Sequence, residues 1–272
     1  CELPRGGMCP DALDAYLTEH LVRDADGTPR DTTTGRRVAA CLPVHTLGHP
    51  ARMERIAAIC HGWGIPLVED AAEALGSRDA AGHVGSRRDF AVLSFNGNKI
   101  VSTGGGGAIL CRGEAARRVR HLSTTAKVPH RWRFEPDAVG FNYRMPNVNA
   151  ALGLAPLEQL PDYLSAKRRL AREYEAFFAK SGLSFVPQPE GCQSNYWLNA
   201  VLCIDQAQRD ALLDATHRAG IWTRPLWTPM HRLAIYSRCP CGPLPNTEML
   251  ADRLLKLPSG VPASMRGHGR DA

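Results

Sequence analysis

Phe95-Asn96-Gly97-Asn98-Lys99-Ile100-Val101-Ser102-Thr103-Gly104-Gly105-Gly106-Gly107 isolates one lysine between an apolar run and a four-glycine turn. Residues 90–95 read as a strand, and Asn96, Gly97 and Asn98 favour a turn, so the pattern puts an amine at a strand end. Open α/β sheets bind ligands beyond the carboxyl ends of their strands. A lysine there becomes a carbonyl-directed nucleophile if its surroundings lower its pKa. By itself it is also compatible with a solvated loop lysine.

A second stretch sharpens the reading. Residues 65–69 form a short apolar strand that ends in Glu69 and Asp70, and residues 51–62 ahead of it space Met53, Ile56, Ala57 and Cys60 as a helix. With a strand end at 43–44, this predicts a strand–helix–strand unit and a parallel pair with a right-handed crossover. Residues 89–95 and 108–112 predict two further strands that bracket Lys99. Asp70 then stands at one strand end and Lys99 beyond another. That is the pair pyridoxal phosphate requires: an amine for its aldehyde and a carboxylate that keeps its pyridine nitrogen protonated. Asp70 is also a candidate N-cap for a helical turn over 71–75.

Together with Gly-Phe-Asn-Tyr-Arg-Met-Pro at 140–146, these motifs resemble the DegT/DnrJ/EryC1/StrS family of pyridoxal phosphate sugar aminotransferases, over residues 44–257. The resemblance implies fold type I, like aspartate aminotransferase. It implies an α/β large domain on a mixed, mostly parallel sheet (residues 1–160), a linking helix (161–181) and a small α+β domain (182–272). It also implies that the N-terminal part of the large domain is missing, because the phosphate-binding helix and ring-stacking aromatic expected upstream of Val44 are not visible.

By that resemblance Lys99 is the cofactor-bonding lysine and proton carrier, and Asp70 is the partner of the ring nitrogen. Ser94 is the phosphate-binding hydroxyl or an ordinary strand serine. Asn142 reaches the phosphate across a homodimer interface, or caps local structure. Glu73 replaces the usual glutamine or histidine near the cofactor's phenolic oxygen, where a carboxylate needs a proton or a cationic partner. His45 and His49 contact cofactor or sugar, or serve turns and packing. Arg224 approaches substrate, and Arg144 is an active-site residue or a surface ion-pair member. The implied reaction moves an amino group from an amino acid, L-glutamate, to a nucleotide-linked keto sugar for surface glycans or natural products. Lys99 favours transamination over dehydration, where relatives carry histidine. The alternative from another class is a non-catalytic remnant or partner subunit.

Composition excludes other classes. With 272 residues, 44% hydrophobic and 22% charged, the chain is globular rather than disordered. It lacks a membrane-length apolar run and a signal-peptide core, so the expected compartment is the cytoplasm. Its nine cysteines show no repeated spacing, and Cys239-Pro-Cys241 lacks the second ligand pair of a zinc site. The net charge of +6 concentrates at residues 117–133, which offers no recognition helix or stacking platform for nucleic acid; Lys127 and Arg131 are instead candidates to meet a sugar diphosphate. Further helices are expected at 114–122, 148–160, 162–181, 206–219 and 247–257, strands at 183–186 and 196–204, and fraying over 260–272.

Overall fold

The computed structural model describes residues 1–3, 5–86 and 89–261. The unit that carries Asp70 forms as its spacing requires. Helix α2 (Met53–Trp63) buries Met53, Ile56 and Cys60 on one face and ends at Gly64, whose φ of 68° is the left-handed turn that glycine makes without strain. The chain then enters β3 (Val68–Asp70), which lies parallel to the segment before α2 through the Cys41–Leu67 and Val44–Asp70 bridges. On its other side β3 pairs in parallel with β6 (Phe90–Ser94), and β6 pairs antiparallel with β7 (Gly107–Cys111). This order puts Asp70 beside Val92, and Lys99 in the connection between β6 and β7. Ser94 faces Gly107, where a Cβ would lie 2.6 Å from the Leu93 carbonyl oxygen, so the pairing tolerates only glycine. The short pair β4 (Arg78–Asp79) and β5 (Gly82–His83) lies between β3 and β6 in sequence.

Three expectations differ from the structure. The stretch before Val44, unpatterned to the eye, forms α1 (Pro10–His20) and the hairpin of β1 (Leu21–Arg23) and β2 (Pro29–Asp31), with Leu17 and Leu21 in the core shared with α2. Residues 71–75 form successive turns rather than a helix, because Ala71 N–H donates to the Val92 carbonyl and remains with the sheet. The last predicted helix stops early. Helix α7 covers Pro245–Arg253, and Leu254–Leu257 is strand β11, buried at all four positions.

That strand is central to the second sheet. Its order is β10 (Arg224–Pro225), β11, β9 (Asn199–Leu202) and β8 (Ser184–Phe185), all antiparallel. Helices α5 (Leu160–Phe178) and α6 (Gln206–Arg218) cover one face, where Tyr174, Phe178, Leu212 and Leu213 pack on Val201, Cys203, Leu255 and Leu257. Helices α4 (Asn147–Glu158) and α5 fall on the expected helices at 148–160 and 162–181, and α3 (Gly113–Ser123) lies on the surface with no buried residue. Residues 262–272, the greater part of the segment expected to fray, lie outside the described residues.

The two sheets meet through polar side chains that the core holds fully paired. Asn195, fully buried, donates from Nδ2 to the carbonyls of Glu73 and Leu75 and accepts the Trp197 N–H at Oδ1. Lys167 of α5, also buried, donates to the carbonyls of Trp197 and Ser259 at 3.1 and 2.6 Å. A buried polar group without a partner costs about 1–3 kcal/mol, so the Asn195 bonds to Glu73 and Leu75 fix how the second sheet sits on the first, and the Lys167 bonds fix α5 to the second sheet.

Candidate active site

Asp70 is held rigidly at its strand end: its N–H donates to Pro43 and its carbonyl accepts from His45, at 2.9 and 3.1 Å. Oδ1 accepts the Ala72 N–H at 3.0 Å, a turn contact rather than a helix cap, and Oδ2 has no partner among the described residues. Glu73 follows in the turns. Its Oε2 accepts the Leu47 N–H at 2.8 Å; burial pushes its carboxyl pKa up, the Leu47 bond, Lys99 and Lys256 pull it down, and Asp70 adds to the rise. The cationic partner that a carboxylate needs at this position is therefore supplied twice.

Lys99 shows the opposite balance. Burial lowers its pKa, and the fields of Glu73 and Asp70 raise it in part. Its ammonium has neither an ion pair nor a hydrogen-bond acceptor among the described residues; Nζ lies 3.7 Å from the centroid of the Trp197 ring. The Trp197 indole N–H donates to the Asn98 carbonyl at 2.8 Å, so one side chain contacts both the amine and the turn beneath it. Trp197 stacks on Trp227 with centroids 5.9 Å apart and planes 4° from parallel, and Lys256 Nζ lies 3.6 Å from the centroid of Trp227. Burial lowers Lys256 to a pKa of about 8 against the field of Glu73.

The structure thus brings Asp70, Glu73 and Lys99 into one electrostatic cluster. Ser94 lies at the end of the same strand β6, its Oγ accepting the Asn96 N–H at 3.3 Å. Asn142 does not join them within the chain. It is exposed and bridged to Thr124, and the rings of its neighbours Phe141 and Tyr143 stack on each other with centroids 5.4 Å apart. Tyr143 and Arg144 line an open cavity with Gly106 and Gly107, so this segment borders the glycine turn. Lys127 and Arg131 are exposed and lean on Phe134 and Trp132, and Arg224 is exposed beside Trp222.

The two histidines are structural. His45, fully buried, accepts the Ala51 N–H at Nδ1, which puts its proton on Nε2 for donation to Glu69 at 2.9 Å. His49 pairs through Nδ1 with Ser194 Oγ at 3.0 Å, and burial lowers its pKa to about 4.

The family model described as the DegT/DnrJ/EryC1/StrS aminotransferase family matches residues 29–265. The chain belongs to this family. Among curated relatives it is 34% identical over 253 residues to the GDP-perosamine synthase of Caulobacter vibrioides, a match covering 91% of this chain and 64% of that protein. Among solved structures, the aminotransferase TlmJ from Streptoalloteichus hindustanus superposes with a TM-score of 0.77 at 31% identity, covering 88% of this chain and 66% of that one. DesI, solved in the presence of its TDP-sugar product, gives 0.80 at 28%, covering 96% and 63%. The chain spans under two thirds of the length of the curated relatives it matches. These DegT/DnrJ/EryC1/StrS structures carry the fold type I aminotransferase architecture, which this chain shares.

Two site residues were not legible as such. Trp197 and Lys256 lie in runs, 196–204 and 247–257, that read as an ordinary strand and an ordinary helix. A signal was available for Lys256 alone: a lysine within an otherwise apolar Leu-Leu-Lys-Leu, a charge that needs a partner if the run is buried.

Proposed function

We propose that this chain carries the site of a pyridoxal phosphate-dependent aminotransferase that moves an amino group from L-glutamate to a nucleotide-linked keto-deoxy sugar, in the making of surface polysaccharide or another glycan. The observation that carries the reading is Lys99: a half-buried amine without an ion pair among the described residues, its pKa lowered by burial, in the field of a carboxylate at a strand end, Asp70, and of Glu73 in the turn that follows. The donor set suits the cofactor, with an amine for its aldehyde, the free Oδ2 of Asp70 for its ring N–H, and a hydroxyl on Ser94 for its phosphate. When bound, pyridoxal phosphate supplies a carbonyl that takes up the amino group and a protonated ring that accepts electrons.

The chain's own residues then have separable tasks. Burial favours the unprotonated form of Lys99 Nζ, the form a nucleophile must take, and the same atom, once free, carries a proton from the carbon that loses its amino group. Asp70, fixed through both its backbone groups, keeps a carboxylate aimed by the strand rather than by a mobile side chain. Burial disfavours the charged form of Glu73, and the fields of Lys99 and Lys256 offset part of that cost. Asn142 needs a second protomer to reach the site, and the exposed rings around it support a homodimer with shared sites. All nine cysteines are free, which suits a reducing cytoplasm, and no helix among the described residues is long and apolar enough to cross a membrane.

Substrate and donor are tested by product mass. Incubation of the purified protein with pyridoxal phosphate, L-glutamate and a panel of GDP- and TDP-linked keto-deoxy sugars is expected to yield an aminosugar and 2-oxoglutarate in equal amounts. A cofactor-loaded protein that aminates none of them, or that releases a dehydrated sugar, contradicts the reading.

A further inference from the structure

We propose that Trp197 is a positioning residue for Lys99, setting both the place and the proton affinity of its amine; the proposal rests on the reading of Lys99 as the reactive lysine. Two direct contacts carry it. The Lys99 ammonium lies 3.7 Å from the ring centroid, and the indole N–H holds the Asn98 carbonyl at 2.8 Å, one residue before the lysine. An ammonium over an indole face is attracted by the ring quadrupole, and the effect grows with desolvation. Without a hydrogen-bond acceptor for Nζ, the ring face is the nearest partner that the described residues give this cation.

The platform is itself rigid. Trp197 is 5% exposed; its N–H donates to Asn195 Oδ1, its carbonyl accepts from Lys167, and its ring is backed by Trp227. Asn195 in turn holds the carbonyl of Glu73, so the backbone of one group that acts on Lys99 and the ring beneath Lys99 are fixed by a single amide. An amine on so fixed a surface loses little freedom on reaction, which is the advantage of a preorganised nucleophile. The indole also tunes charge in the sense opposite to burial: burial favours the free amine, and the ring face favours the ammonium.

The test reads Lys99 directly in the full chain purified without cofactor, so it does not depend on catalysis. The rate of Lys99 acetylation by acetic anhydride, followed by peptide mass across a pH series, gives the pKa of its amine. A ring-fluorinated tryptophan placed at 197 keeps shape and N–H but weakens the π face, and is expected to lower that pKa by about half a unit. Trp197→Phe, which keeps a π face and loses the N–H, is expected to hold the pKa closer to the parent's while the peptide spanning Asn98 exchanges its amide hydrogens faster. The exposed Lys180 provides the internal control, with an unchanged profile in every variant. A Lys99 profile in the fluorinated protein that superposes on the parent's overturns the proposal. So does an upward shift, which weakening an attractive ring face cannot give; an indole that acts only by excluding water leaves the profile where the parent's lies. Failure of Lys99 to bind cofactor, with the fluorine effect intact, refutes the proposed function and leaves the Trp197–Lys99 coupling standing.

Discussion

Lysines carry much of the electrostatics of this protein at the residue scale. Lys99 and Asp70 were legible because each punctuates an apolar run with a charge next to turn residues. Lys167 was not, because position 167 lies in a helix so rich in lysine and arginine that no one of them stands out. Its burial lowers its pKa from 10.5 to about 8. Between those values the unfolded chain binds more protons than the folded one, so stability rises as pH climbs from about 8 toward 10.5. Lys256, also lowered to about 8, contributes in the same direction. Thermal unfolding of the parent across this range should therefore show a midpoint that increases with pH below the range where tyrosines ionise. Lys167→Met should flatten the rise by roughly half, the share left to Lys256. A parent midpoint that falls with pH over the same window would refute the assignment.

Helices and strands were legible where periodicity and punctuation agreed, as at α2, β6, β7 and α6. They failed where tertiary pairing decided. Leu254–Leu257 continues a helical pattern in sequence, yet takes strand geometry because β9 and β10 offer backbone partners on both sides. The junction between the sheets shows a similar dependence on distant partners. Gly48, at φ +91°, leaves room for a side chain distant in sequence: a Cβ there would lie 1.9 Å from Asn195 Oδ1. Gly48→Ala should cost at least about 2 kcal/mol, from backbone strain together with displacement of Asn195, and lower the unfolding midpoint by several degrees. Gly62→Ala, within α2 and with nothing within 4 Å of its would-be Cβ, should leave stability unchanged or raise it by about 0.5–1 kcal/mol. Equal effects of the two substitutions would contradict the junction as described.

At the scale of the whole molecule, one residue of the proposed site lies apart from the rest within a single chain. Asn142, singled out by resemblance, is exposed; Trp132, Phe134 and Tyr143 are 68%, 78% and 78% exposed, and Leu152 and Leu154 of α4 are each 58% exposed. Exposed apolar area on this scale marks an interaction face, and a second copy of the chain is the occupant the proposed function requires. The parent should sediment as a dimer, and Phe134→Asp with Tyr143→Asp should give a folded monomer; a monomeric parent contradicts the shared site. Sequence could not reveal which residues meet across chains, since an interface leaves the same apolar signature as a core. The central claim, that Lys99 is the amine of a pyridoxal phosphate site, is tested most directly by trapping. The purified chain is mixed with pyridoxal phosphate, its visible absorbance recorded, and the sample reduced with borohydride and digested for peptide mass. The account predicts a band lost on reduction, with cofactor mass on Lys99 and none in Lys99→Ala. A folded, soluble protein that shows no such band, or carries the mass on another lysine, would contradict it.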